Sequence, residues 1–240
     1  MSTRSVRIAK RSLDVVAASV GLLLTAPLYP AIALAIRLDS RGPTLFRQRR
    51  VAGLRAEPHA PDGPYRCFTL FKFRTMCDDA ERTTGAVLSS RDDPRITRVG
   101  RFLRRSRLDE LPQLWNVLRG DMSLVGPRPE RPELTADLAS IVPYFEERLR
   151  AKPGLTGLAQ VHLGYTGAIP EWSALWGLGA TLQNPYELDD AEGALADDMR
   201  AKLLYDLAYV ASLEDFRRWL ATELSVLCAT PMVMIRKLGE

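Results

Sequence analysis

The sequence predicts an α+β chain, mostly helical, with an N-terminal re-entrant membrane helix-break-helix, a small β-hairpin, and amphipathic helices lying at the membrane interface. Three observations predict it. Residues 15–36 are almost uninterruptedly apolar but contain Pro27 and Pro30. Two segments with the alternation and aromatic content of strands, 42–51 and 65–76, flank a loop rich in Pro, Gly and Ala at 56–64. Most of the remainder repeats its apolar residues at helical spacing. The 240 residues, 46% of them hydrophobic, are ample for a core. They divide into a basic flank and re-entrant hairpin (1–41), a central core (42–162), and a variable loop with C-terminal helices packed on that core (163–240).

In the hairpin, proline removes a backbone donor and clashes with the preceding turn, so the helix breaks near Ala26-Pro27. Neither half then crosses a hydrocarbon core of about 30 Å. Arg4, Arg7, Lys10 and Arg11 precede the stretch, and Arg37, Arg41, Arg47, Arg49 and Arg50 follow it. The positive-inside tendency draws both flanks to the cytoplasm, which a re-entrant path satisfies and a kinked span does not. A buried core helix is a third reading. Ser19 or Thr25 can donate to a carbonyl freed at the break, and Asp14 reads as a charge complementing a helix N-terminus.

Further along, residues 78–82 (DDAER) read as a helix start. Ile96, Val99, Phe102 and Leu103 give a helix with arginines on its other face. Pro112 opens the next helix and Gly120 closes it, with Leu111, Leu114, Trp115 and Leu118 toward the core. Residues 135–150 read as one amphipathic helix bent at Pro143, and KPGLTGLAQV (152–161) as a turn into an extended segment. Residues 163–190, with Trp172 and Trp176, read as irregular. Residues 191–222 read as helix, and Pro231 interrupts the final apolar run.

Charge is unevenly spread. Residues 1–60 hold 10 Lys/Arg against 3 Asp/Glu, and residues 134–240 hold 9 against 15. The basic N-terminal part suits anionic partners, and the apolar hairpin beside it favours membrane lipids over nucleic acid. Cys67, Cys77 and Cys228 are unclustered, which fits a reducing compartment and argues against a zinc site. His59 and His162 are isolated, and neither completes a triad.

Chemistry concentrates at Asp109 and Glu110, adjacent carboxylates downstream of Arg101, Arg104, Arg105 and Arg107 and upstream of Arg128 in a Gly-Pro-Arg-Pro turn. A helix N-terminus and nearby arginines should favour ionised Asp109. Such a carboxylate can attack phosphorus or bind Mg²⁺, and arginines can neutralise phosphate oxygens. An Asp at a helix start is also an ordinary cap, so residue types alone leave both readings open.

LFRQRRV, FKFRTM, RITRVGRFLRRSRLDELPQLWNVLRGDMSLVGPRPE and KPGLTGLAQV follow one another behind a KRSLDVVAA…AP hairpin. Together they closely resemble the bacterial sugar transferase family, the monotopic phosphoglycosyltransferases, over residues 10–161. The length resembles the small catalytic-core members, without the additional N-terminal spans of larger relatives. The resemblance implies transfer of a sugar-1-phosphate from a UDP-sugar to undecaprenyl (polyprenyl) phosphate at the cytoplasmic face of the bacterial inner membrane, releasing UMP. Such a step opens the membrane stage of a glycoconjugate or exopolysaccharide pathway. The resemblance implies Asp109 as nucleophile and Mg²⁺ ligand, with Glu110 as its partner. Arg104, Arg128, Lys72 and Arg74 become candidates for binding substrate phosphate. Lys10 and Arg11 become a basic pair for the lipid phosphate, and Pro27 the helix breaker. Later glycosyltransferases and a second copy of the chain are further candidate partners. The chain departs from the family pattern in three places: Ala26 replaces a serine, the hairpin loop is long, and His162-Leu163-Gly164-Tyr165 follows AQV.

Overall fold

A computed structural model of the chain describes residues 3–57, 63–78, 80, 93–163 and 190–235. The described residues are mostly helical, with a bent N-terminal helix pair and two small sheets among them.

Helix α1 spans Arg4–Thr25, and the Thr3 side chain accepts from the Val6 amide at its start. Its buried residues, Val6, Lys10, Asp14 and Ala18, recur every fourth position and so form one stripe. Ile8, Val16, Val20, Leu23 and Leu24 are exposed. Helix α2, Leu28–Asp39, leaves α1 at 60° after the Ala26-Pro27 break. Among the described residues no single helix is long and apolar enough to cross a membrane, while the bent pair together meets that test by length and composition. Proline at 27 deprives the Leu23 carbonyl of its amide partner. Thr25 Oγ1 donates instead to Gly21 O, at 2.7 Å. Asp14 is not at a helix terminus: it lies inside α1, 2% exposed, accepting from Ser123 Oγ and the Leu124 amide, both at 2.9 Å.

Strands β1 (Leu45–Leu54) and β2 (Tyr65–Phe73) pair antiparallel as the expected hairpin, from Leu45 opposite Phe73 to Leu54 opposite Tyr65, with an irregularity between Val51 and Gly53. Most of the 56–64 loop and of the 78–82 helix start lies outside the described residues.

Helix α3 (Arg98–Ser106) is capped by the Thr97 side chain and ends at Arg107, whose φ of 59° is left-handed. A 3-10 turn, Leu108–Glu110, leads through Pro112 into α4 (Gln113–Arg119), which Gly120 closes at φ 88°. Leu114 is buried and Leu111 and Leu118 partly so, but Trp115 is 50% exposed and Asn116 and Val117 take the inner face. Leu111, Leu114 and Leu118 keep the i, i+3, i+7 spacing of one helix face, and Trp115 alone of the four lies outside its buried part.

The helix expected over 135–150 is two elements. Helix α5 (Pro132–Ile141) stops before Pro143, which disfavours helical geometry at Val142, and a 3-10 turn follows at Phe145–Arg150. Two three-residue strands, β3 (Ser123–Val125) and β4 (Gly154–Thr156), pair in parallel. Helix α6 (Leu158–Leu163) stands where extended chain was expected. The C-terminal helical stretch is split into α7 (Asp190–Ser212) and α8 (Phe216–Ile235), and α8 continues through Pro231. Residues 164–189, including Trp172 and Trp176, lie outside the described residues.

The main core joins both ends of the chain. Val6 and Ala18 of α1 meet Leu114 and Val117 of α4, Leu124 and Val125 of β3, Tyr209 of α7, and Trp219 and Val226 of α8. Full burial of a valine or leucine side chain contributes about 1.5–3 kcal/mol. This packing fixes the α3–α4 corner and the start of the 126–129 turn against each other.

Candidate active site

The left-handed Arg107 turns the chain sharply between α3 and α4, and the 3-10 turn then directs Asp109 and Glu110 inward, 6% and 9% exposed. A non-glycine residue in this conformation costs about 1–2 kcal/mol, which the packing on either side offsets. Glu110 Oε1 accepts from Lys72 Nζ at 2.8 Å and from Arg128 Nη2 at 3.2 Å. Lys72 comes from β2, and Arg128 from the Gly126-Pro127-Arg128-Pro129 turn after β3. That turn sits tight on β4, where a Cβ on Gly154 would collide with the Gly126 backbone.

The two carboxylates have opposite electrostatics. Burial, and then the neighbouring Glu110 charge, push Asp109 up to about 6. This reverses the sequence expectation that arginines would depress it: Lys72, Arg107 and Arg104 act in that direction but do not overcome burial. Burial also opposes ionisation of Glu110, but Lys72 and Arg128 outweigh it and hold that carboxyl well below the usual range. Glu110 is therefore a fixed anion between two cations. Asp109 Oδ1 is buried and, among the described residues, has no hydrogen-bond partner.

An orphaned carboxylate oxygen beside a second carboxylate fits Mg²⁺, which commonly takes one or two carboxylates and completes its shell with substrate phosphates and water. Among the described residues no group of three or more His, Cys, Asp or Glu could form an all-protein metal cage. Asp109 would be the principal ligand.

The structure thus brings Asp109, Glu110, Lys72 and Arg128 together, with Arg104 close enough for its charge to act on Asp109. Arg104 Nε donates to Thr75 Oγ1 at 2.9 Å. The other candidates have different surroundings. Arg74 is buried and donates through Nη2 to Ser40 O and Oγ, tying the end of β2 to the end of α2. Lys10 Nζ is bonded to Glu223 Oε1 and Val125 O. Arg11 donates to the Val117 and Leu118 carbonyls at the end of α4. These contacts tie α1 to β3, α4 and the last helix, whatever further role the basic pair has toward a lipid phosphate. Pro27 lies at the bend between α1 and α2, apart from the carboxylates in the chain.

Sequence reasoning missed Arg50 and Asn116. Arg50 Nη1 donates to Pro129 O at 3.0 Å and lies 3.6 Å from Glu130 Oε2. Asn116, fully buried, donates to Thr69 O and accepts from the Phe71 amide, joining α4 to β2. A polar residue within the apolar pattern of α4 was the available signal for Asn116. Arg50 is one of several arginines in β1 and carried none.

The model of the bacterial sugar transferase family matches residues 5–237. The chain belongs to the bacterial sugar transferase family. It is 48% identical over 156 residues to the undecaprenyl-phosphate glucose phosphotransferase of Komagataeibacter xylinus, covering 64% of this chain and 27% of that one. It is 49% identical over 158 residues to the UDP-glucose:undecaprenyl-phosphate glucose-1-phosphate transferase of Caulobacter vibrioides, covering 65% and 55%. Identity to the UDP-N-acetylgalactosamine-undecaprenyl-phosphate N-acetylgalactosaminephosphotransferase of Aeromonas hydrophila is 36% over 211 residues, covering 88% and 40%. The matched region is therefore at most about half of these relatives' own length.

Proposed function

We propose that this sugar transferase moves a sugar-1-phosphate from a UDP-sugar to undecaprenyl phosphate through a covalent phospho-sugar on Asp109. The observation that carries this reading is the contrast between the two carboxylates. Glu110 is engaged by Lys72 and Arg128, whereas Asp109 Oδ1 is buried without a hydrogen-bond partner among the described residues. The names of the relatives support the donor and acceptor classes.

In the first step an Asp109 carboxylate oxygen attacks the phosphorus that bears the sugar. The bond from that phosphorus to the bridging oxygen breaks, and UMP leaves with the bonding pair. Asp109, with its pKa at about 6, is mostly ionised at neutral pH, so no proton need be removed from it. Arg128 and Lys72 offset the charge that builds on the phosphate oxygens, while Glu110 holds both cations in place. Mg²⁺, when bound, would neutralise phosphate charge and polarise the phosphorus centre. In the second step an oxygen of undecaprenyl phosphate attacks the same phosphorus, the acyl-phosphate bond breaks, and the carboxylate is restored. Sequential use of one carboxylate gives ping-pong kinetics.

The acceptor is embedded in the membrane and the donor is soluble. A re-entrant α1–α2 pair, entering and leaving at the cytoplasmic face of the inner membrane, would seat the site where both can reach it. The test is UMP release across a panel of UDP-sugars. Without acceptor, wild-type enzyme should release one equivalent and gain the mass of a phospho-sugar, and Asp109→Asn should do neither. Turnover only when acceptor is present would instead indicate direct transfer, with Asp109 serving as metal ligand alone. No turnover with any UDP-sugar would remove the reading.

A further inference from the structure

Successive carbonyls of the turn that carries Arg128 are each held by a different donor. Pro127 O accepts from the Gly154 amide at 2.9 Å and Arg128 O from Arg148 Nη2 at 2.9 Å. Pro129 O accepts from Arg50 Nη1 at 3.0 Å and Glu130 O from the Val51 amide at 3.0 Å. Prolines on both sides of Arg128 have no amide hydrogen to donate. The turn therefore takes its shape from outside donors, and that shape sets where the Arg128 side chain stands.

Among these donors Arg148 is the one whose burial demands a reason. It sits in the 3-10 turn after α5, 4% exposed, with its guanidinium 5.0 Å from the Phe145 ring centroid. Its Nε and Nη2 both lie 2.8 Å from Asp206 Oδ2, and Asp206 on α7 is 2% exposed. Two charges taken this far from water are costly unless geometry is tight and the remaining donors are used. Here a remaining donor reaches the main chain of Arg128, whose own guanidinium contacts Glu110. A planar arginine fork can serve Asp206 and the carbonyl together. A lysine ammonium is a point charge that keeps the pairing but not the fork.

We infer that Arg148 and Asp206 are positioning residues that act through Arg128: the buried pair sets the backbone of the 127–130 turn and thereby aims Arg128 at the phosphate site. This rests on the phosphate-binding role proposed above for Arg128. It gives the acidic C-terminal part of the chain, through Asp206, a share in donor binding.

The experiment combines kinetics with hydrogen exchange on the full chain in detergent or nanodiscs. Arg148→Lys and Asp206→Asn should stay folded by circular dichroism. They should lower kcat/KM for UMP release from a UDP-sugar by about 10–100-fold, the scale of an ångström-level misplacement. The amides of Arg128, Glu130 and Arg131 should exchange faster in both variants, while β1 and β2 keep their protection. In an Arg128→Ala background, Arg148→Lys should change kcat/KM by less than about twofold, because its effect passes through the missing guanidinium. Losses that multiply in the double variant would overturn the inference, as would unchanged rates in either single variant. Should Arg148→Lys fail to fold, Asp206→Asn carries the same comparison. If the wild-type enzyme turns over no UDP-sugar, the proposed function falls. The exchange data then still decide whether Arg148 holds the turn, and unchanged exchange overturns the inference.

Discussion

Lys10 Nζ lies 2.6 Å from Glu223 Oε1, so an ion pair joins the first helix to the last. Glu223 is fully buried, and its second oxygen accepts from Tyr209 Oη and Trp219 Nε1, both at 3.0 Å. Lys10 also donates to Val125 O, immediately before the turn that carries Arg128, and the single Tyr209 hydroxyl proton is shared between that carbonyl and Glu223.

Removing one partner strands the other charge in the interior. Glu223→Leu, which leaves Lys10 unpaired, should cost about 3–5 kcal/mol, and Lys10→Met combined with Glu223→Leu should recover much of that loss. Denaturant unfolding in one detergent reads both. Equal midpoints for wild type and Glu223→Leu would show that the pair adds nothing to stability.

The α1–α2 bend depends on Pro27. Pro27→Ala restores an amide donor to the Leu23 carbonyl and removes the ring clash. With the native cysteines replaced, new cysteines before residue 10 and after residue 41 should both label from the cytoplasmic side in the otherwise wild-type chain. In Pro27→Ala the second site should move to the opposite side. Labelling from opposite sides before the substitution would refute the re-entrant arrangement.

Asp109 should cost the folded protein stability. Its carboxyl is raised from 3.8 to about 6 in the fold, first by burial and then by Glu110, while the unfolded chain keeps the ordinary value. The folded state therefore holds this proton more tightly. Above about pH 6 the ionised group is destabilising, and the cost fades as pH falls through 6 toward 4. In metal-free buffer at pH 7.5, Asp109→Asn should be more stable than wild type by about 2 kcal/mol, with the difference closing near pH 4. Added Mg²⁺ should raise the wild-type unfolding midpoint and leave that of Asp109→Asn unmoved. A less stable Asn variant at pH 7.5 would contradict the assigned direction.

Much of the fold was legible because local rules sufficed. The β1–β2 hairpin followed from alternation, the α1–α2 break from Pro27, and the limits of α4 from Pro112 and Gly120. The misses share one cause. Three-residue strands such as β3 and β4 have no pattern of their own and exist only because each meets the other. Trp115 is half-exposed although its spacing from Leu111 suits the inner face, because how far that face is covered depends on distant segments that spacing cannot register. Arg148 and Asp206 are 58 residues apart, and neither has a local signature.

For the site, the sequence by itself determined the cast: adjacent carboxylates at 109 and 110, Lys72 on a strand, and Arg128 between prolines. Tertiary structure decided how they differ. Burial and the neighbouring Glu110 charge raise Asp109, whereas Lys72 and Arg128 hold Glu110 as an anion. It also drew Lys10 and Arg11 inward, where buried acceptors claim their donors. Residue types and their order are written locally, but desolvation and pairing depend on which distant segments meet, and that is fixed only when the first and last helices close on one core.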